Sequence, residues 1–242
     1  MAKRKVNSKK RKVNKKKVVV AVIIVVMVLV CGTTACTVIT DSKQESILRE
    51  EVKILSKKDI TKDRYNVPIK THGDYAVVEK AIKEYLDDYA VTLQSLLKIM
   101  DDKQLANILS VDNLKSDGPD FVKTREYLTS TKKDFNEKLT KLTNMTSEDE
   151  IMKQIKSKNL DKFYVNLYEE LMLRGVGGSD FKTSRDDLEK ASSTINNILD
   201  TESKMIDLLV SNKGNWSIEN NKLVFKNTDT LNKYNELKKQ LS

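Results

Sequence analysis

Residues 74–100 read DYAVVEKAIKEYLDDYAVTLQSLLKIM, and the spacing inside this stretch sets the fold class. Tyr75, Val78, Ile82, Leu86, Tyr89, Leu93, Leu96 and Met100 recur in steps of three and four. That is the period of one face of an α-helix. Asp87 and Asp88 are assigned to its polar side.

Moving toward the C-terminus, a shorter helix is expected at Lys103–Leu109, then a break at Ser116-Asp117-Gly118-Pro119. A second long helix is expected over 120–142, with Phe121, Leu128, Phe135, Leu139 and Leu142 along one side. Ser147 followed by Glu150 is a capping-box signature for a third helix through Ile151, Met152 and Ile155. A fourth, 158–174, carries Leu160, Phe163, Tyr164, Leu167, Tyr168 and Leu171 and stops at Gly175-Val176-Gly177-Gly178. The last long helix, 179–212, has the near-heptad set Phe181, Leu188, Ala191, Ile195, Ile198, Met205 and Leu209.

The helical period then fails. Trp216–Ile218 and Lys222–Phe225 are short β-like runs around Asn220-Asn221, a pair suited to a two-residue hairpin turn. Thr228 or Asp229 is expected to cap a final helix bearing Leu231, Tyr234, Leu237 and Leu241. On the other side of the opening stretch, residues 59–73 carry Pro68 and Gly73 and read as a linker or extended arm. Residues 41–58 form an imperfect helix with Ile47, Leu48, Val52, Ile54 and Leu55. Aromatics at 6% and charges at 33% suit an elongated antiparallel bundle. The expected class is all-α, with a small C-terminal β-hairpin, preceded by one transmembrane helix.

That last element rests on the N-terminus. Residues 1–17 hold ten Lys and Arg and no acid, and residues 18–40 hold no charge at all. Of the chain's 44 basic residues, 34 remain for 41–242 against all 35 acids, so the remainder is balanced at −1 despite an overall +9. Nucleic-acid binding needs basic residues gathered on a folded face. Here the excess sits in one terminal block, and no nucleic-acid partner is expected. Twenty-three uncharged residues beginning VVVAVIIVVMVLV give a helix of roughly 34 Å at about 1.5 Å per residue. This is enough for a hydrocarbon core of about 30 Å. The basic block before it places the N-terminus in the cytoplasm. The expected organisation is therefore a basic cytoplasmic tail at 1–17, a membrane span at 18–40, a membrane-proximal helix and linker at 41–73, and an extracytoplasmic helical domain at 74–242. Seventeen cytoplasmic residues leave no room for a receptor's output domain.

Two other fates of the same segment stay open. The strictly apolar run Val18–Cys31 has signal-peptide length, and Gly32-Thr33-Thr34-Ala35-Cys36 resembles a bacterial lipobox, which would make Cys36 a lipidation site. The resemblance departs from the usual pattern at Thr33. Cleavage after Ala35 is the other option.

Residue types for catalysis are sparse. Both cysteines, Cys31 and Cys36, lie in the apolar segment, so the rest of the chain has no thiol nucleophile, cysteine metal ligand or disulfide. His72 is the only histidine and is expected as an exposed turn residue; one histidine does not make a metal site. The doublets Asp87-Asp88, Asp101-Asp102 and Asp186-Asp187 diverge by about 100° on a helix, and Glu148-Asp149-Glu150 suits a first helical turn. The glycines at 175–178 lie between helices and read as a helix end, not a phosphate loop. Trp216 is expected to dock the hairpin, and Tyr75, Tyr85, Tyr89, Tyr164 and Tyr168 to pack with hydroxyls at the rim.

No catalytic, cofactor-binding or metal-binding residue is assigned. The Lys, Asn and Ile content points to a low-GC bacterium. The sequence-level expectation is a single-pass, non-enzymatic interaction or structural module of the bacterial cell envelope. It would contact the membrane through residues 18–40 and an envelope protein, or a second copy, through its outer domain. The alternatives are a ligand-binding surface lipoprotein acylated at Cys36, with a pocket near the hairpin, and a hydrolase working through carboxylates alone.

Overall fold

The computed structural model describes residues 4–5, 42–174 and 180–241. It is mostly helical, 72%, with a small antiparallel C-terminal hairpin. A two-residue strand β1 (Arg4–Lys5) precedes helices α1 (Ser42–Leu55), α2 (Asp74–Met100), α3 (Lys103–Ala106), α4 (Val111–Asp117) and α5 (Val122–Met145). Then come α6 (Glu148–Lys156), α7 (Lys162–Glu169) with a π-helical turn at Glu170–Arg174, and α8 (Asp180–Ser211). The chain ends with β2 (Trp216–Glu219), β3 (Lys222–Phe225) and α9 (Thr228–Gln240). The expected membrane span at 18–40, including Cys36, lies outside the described residues. Among those described, no helix is long and apolar enough to cross a membrane.

Among the described residues the contacts divide the chain into two compact units: 4–5, 98–136 and 192–241 belong to one, and 42–97, 137–174 and 180–191 to the other. In the first, the break expected at 116–119 begins only at Gly118, since α4 runs on through Asp117. A Cβ on Gly118 would stand 2.4 Å from the carbonyl oxygen of Leu114, so no other residue fits without moving backbone. The carboxylate of Asp117 accepts from the backbone N–H of Thr124 at 2.7 Å and of Lys123 at 3.3 Å, satisfying free donors at the start of α5. The helix expected at Lys103–Leu109 stops at Ala106, and α4, capped by Ser110, is a further helix that the apolar pattern does not indicate. Only Leu114 along it is buried, so it shows no apolar repeat to read.

The hairpin pairs Trp216 with Phe225 and Glu219 with Lys222, and Asn220 and Asn221 both adopt positive φ, 48° and 58°. Two successive left-handed residues are what a type I′ turn needs, and asparagine tolerates them. The strand β1 extends this sheet by pairing Arg4 with Phe225 and Lys5 with Val224. The final helix is capped by Asn227, whose side chain accepts from the N–H groups of Asp229 and Thr230, rather than by Thr228 or Asp229. Asn227 has extended φ/ψ, which the cap position requires, while the next two residues are already helical.

In the second unit, α2 is buried on more than one face. Its expected stripe is inside except for Leu86, which is half-buried, and Ala81, Tyr85 and Ala90 join it. Ser147 caps α6 by accepting from the N–H of Glu150, and Ile151, Met152 and Ile155 are buried, as the capping box indicates. The fourth helix starts later than 158. Asn159 takes φ 51°, which interrupts the chain, and Asp161 is the N-cap. Leu160 therefore falls outside the helix and Phe163 is 48% exposed. Residues 175–178 lie outside the described residues, as does the side chain of Phe181. Farther along α8, within the first unit, Leu199 is buried at 1% while Ile198 is half-buried, because the helix keeps its 3.6-residue period and not a strict heptad.

Candidate functional site

The most strongly built polar site lies where α1 and the segment before α2 meet α2. The arm at 59–73 has turns but no regular element, yet Ile60, Tyr65 and Thr71 are buried. Burying such backbone requires partners for both its N–H and its C=O groups. They come from a row of side chains one turn apart on α2: Glu79, Lys83, Asp87 and, two turns on, Gln94.

Lys83 is 2% exposed and donates to three oxygens, matching the three protons of an ammonium. Its Nζ lies 2.8 Å from Glu51 Oε1, 2.8 Å from the carbonyl oxygen of Pro68, and against Glu79 Oε1. Glu79 in turn accepts from the backbone N–H of Lys70 at 3.0 Å, and from the N–H and hydroxyl of Thr71 at 2.8 and 2.7 Å. Lys70 pairs with the second oxygen of Glu51. Two carboxylates and two ammoniums thus form a neutral group. Burial, the largest influence on Glu51 and on Glu79, pushes both upward. For Glu51 the hydrogen bonds from Lys70 and Lys83 outweigh it, and for Glu79 those from Lys83 and Thr71 do, so both end below the ordinary carboxylate value.

Asp87 closes the other end of the arm. Arg64 donates to it in fork geometry, Nε at 2.8 Å and a terminal nitrogen at 2.5 Å, and the N–H groups of Tyr65 and Asn66 add bonds at 2.8 and 3.2 Å. Its carboxyl is held down at about 2, first by Arg64 and then by these amides, against an opposing burial effect. Gln94 completes the row by donating to the carbonyls of Ile60 and Asp63. Asp87 is therefore a buried anchor and not part of a polar face.

The stripe on α1 changes for the same reason. Leu48, Glu51 and Leu55 point inward at 0, 3 and 1% exposure, and Ile54 is 43% exposed. The signal was present in sequence: charges at 79, 83 and 87 follow i, i+4, i+8 beside an apolar stripe. A Glu–Lys–Asp row of that kind on its own, however, equally suits a solvated face.

A second feature is an open groove of ≈ 400 Å³ whose walls include Tyr85, Asp88, Glu137, Lys141, Glu150 and Gln154. Asp88 and Lys141 pair across it at 2.6 Å. The groove is in the unit that lacks the hairpin. Trp216 stacks on Phe121 with centroids 5.8 Å apart, and its indole N–H donates to the carbonyl of Leu209 at 2.8 Å.

The other singled-out residues scatter. His72 is exposed, and its backbone N–H donates to Gln44 Oε1 at 2.9 Å. The doublets diverge: Asp87 faces Arg64 while Asp88 faces Lys141, and Asp102 caps α3 and accepts from the Tyr127 hydroxyl at 2.8 Å. Tyr85 and Tyr168 turn their hydroxyls inward, to the carbonyls of Met145 and Ile151, rather than to the rim. The carbonyl of Met145 ends α5, where the last carbonyls lack intrahelical partners, whereas that of Ile151 lies within α6. Tyr89 is buried with no partner for its hydroxyl among the described residues. Among the described residues, no group of three or more His, Cys, Asp or Glu is arranged to hold a metal ion. Comparison with protein families, with curated proteins and with solved structures finds no match for this chain.

Proposed function

We propose that the chain is a single-pass membrane protein whose tail lies in the cytoplasm and whose helical part forms a non-enzymatic interaction or structural module of the bacterial envelope. The observation that carries this reading is the charge partition: ten basic residues and no acid in 1–17, then 23 uncharged residues, then a balanced remainder. The buried charges support it from the other side. Glu51, Glu79 and Asp87 are all neutralised by partners inside the fold and held below the ordinary carboxylate range. A carboxylate enzyme needs the opposite, an acid raised in a cleft.

This topology makes one strong demand. The tail and the hairpin would lie on opposite sides of the bilayer, so the pairing of Arg4–Lys5 with Val224–Phe225 would be absent from the inserted chain. A cysteine pair at Lys5 and Val224 that forms a disulfide in membranes of expressing cells would overturn the topology. Retention in the pellet after alkaline carbonate, with the C-terminus cut by protease added outside spheroplasts and the tail protected, is the result expected. Crosslinking in intact cells, with residues 1–45 alone as control, then tests the interaction role. Recovery of a specific envelope protein or of a second copy with the full chain only is expected; recovery of neither argues against it.

The second reading, a ligand-binding lipoprotein, is favoured by the lipobox-like Gly32–Cys36 and by the open groove at Tyr85 and Lys141. Mass spectrometry of the mature protein separates the two. A diacylglyceryl group on Cys36 as the new N-terminus would replace the single-pass topology.

A further inference from the structure

Three helices of the second unit, the arm unit because it holds residues 59–73, begin at the same end, and the contacts that fix this run in step. Along α1, Gln44 meets His72, just before α2, and Glu51 meets Lys83, three turns into it. The two helices therefore advance in the same direction. Along α7, Tyr164 meets Tyr75 in the first turn of α2, and Glu170, just past the helix, receives Arg49 of α1 at 2.9 and 3.1 Å. That helix advances the same way. The starts of α1, α2 and α7 thus share one end.

An aromatic group is placed at that end. Tyr75, Phe163 and Tyr164 meet edge to face, with centroids 6.3, 5.0 and 5.2 Å apart. Phe163 is 48% exposed, although nothing in its own helix prevents an apolar residue from facing inward, as Leu167 at 4% does. The chain also enters the unit here: α1 begins at Ser42, two residues after Thr40 closes the uncharged run. Two residues reach about 7 Å at most. Moreover, α1 is tied to the core by Gln44, Arg49 and Glu51, so no loose tether separates the unit from the point of entry.

We propose that this end of the arm unit rests on the lipid headgroup layer, with Phe163 lodged in the membrane interface and Tyr75 and Tyr164 packed behind it. Aromatic rings favour that zone, where an apolar body and a polar rim are both satisfied. The exposed charges around the group are mixed, Lys43 and Lys162 against Asp74 and Asp161. Attachment is therefore apolar in character and does not require anionic lipid. The proposal rests on the single-pass topology above.

The test uses the full-length chain in zwitterionic phosphatidylcholine vesicles whose acyl chains are brominated near the headgroup, bromine being a short-range quencher of indole. Wild-type protein, with Trp216 alone, gives the baseline. F163W and I54W each add one indole at an exposed position. Ile54 is twelve residues from the start of α1, about 18 Å farther along its axis at 1.5 Å per residue. The emission added by F163W should be largely lost in brominated vesicles and that added by I54W kept, with circular dichroism showing both folded.

Alkaline carbonate retention is measured on the same vesicles. If the protein is washed off, the topology itself fails. If it is retained but F163W is not quenched, or is quenched no more than I54W, the topology stands and the interfacial contact is wrong. Crosslinking of residue 163 to a protein rather than to lipid in cells would also overturn the contact.

Discussion

Removing the ammonium at the centre of the buried group is the sharpest test of how α1 and the arm are held. In K83M, methionine keeps most of the volume of Lys83, but Glu51 and Glu79 lose their shared cation at 3 and 1% side-chain exposure. Lys70, half exposed, is then the sole ammonium against two carboxylates, and the group changes from neutral to one net negative charge. Breaking a buried pair by deleting one partner costs about 3–5 kcal/mol, because the remaining charge stays desolvated. That is a large part of a domain's total of about 5–15 kcal/mol. For a chain of this size it corresponds to a melting temperature lower by about 6–20 °C.

The measurement is urea and thermal unfolding of the full-length protein in mild detergent, followed by helical circular dichroism. Two further results should accompany it. The deficit should shrink as pH is lowered from neutrality toward about 5, since a carboxylate without its cation in a buried site gains affinity for a proton. Adding E51Q should recover part of the loss, a coupling of about 1–3 kcal/mol. A loss below about 1 kcal/mol, the range of exposed pairs, would refute the claim that this group holds the arm in place.

Three other outcomes are expected. D87N should lose about 1–2 kcal/mol, the shift of Asp87 from 3.8 to about 2 after allowance for solvent screening of the exposed Arg64. Because the folded value is the lower one, this stabilisation is complete above about pH 4 and disappears as pH falls toward 2, so wild type and D87N should converge in acid unfolding curves. N221V should lower stability by about 1–2 kcal/mol by forcing a β-branched residue to φ 58°, whereas N221G should be neutral or better. W216A should cost about 2–3 kcal/mol through loss of the Phe121 stack and the bond to Leu209. In the same variant, amide exchange at β2 and β3 should rise; unchanged exchange would mean that the indole does not hold the hairpin.

Much of the framework was legible in the sequence because it is written in local periods. The stripes expected over 74–100 and 120–142 include the buried Val78, Ile82, Leu93, Phe121, Phe135 and Leu142, although Phe121 precedes α5, and the Ser147–Glu150 pair marks the start of α6. The asparagine pair located the hairpin turn because few residues tolerate two successive positive φ values. The cap falls at Asn227, one or two residues before the expected Thr228 or Asp229, since three neighbouring residues can all supply an oxygen and only the backbone decides which does.

The candidate site was legible only in part. Composition and spacing determine the helical class, the charge partition at the N-terminus and the scarcity of nucleophiles and metal ligands. Tertiary structure alone decided that Glu51, Glu79, Lys83 and Asp87 lie inside, because a charged residue is buried or exposed according to whether an opposite charge arrives from elsewhere in the chain. Those partners, Lys70, Arg64 and the amides of residues 65, 66, 70 and 71, come from an arm with no period to read. Likewise, the sequence shows where Phe163 lies in its helix, but only the packing brings it to the end at which the chain enters. Local patterns report what one element can bury; which surfaces meet depends on distant segments that no local pattern encodes.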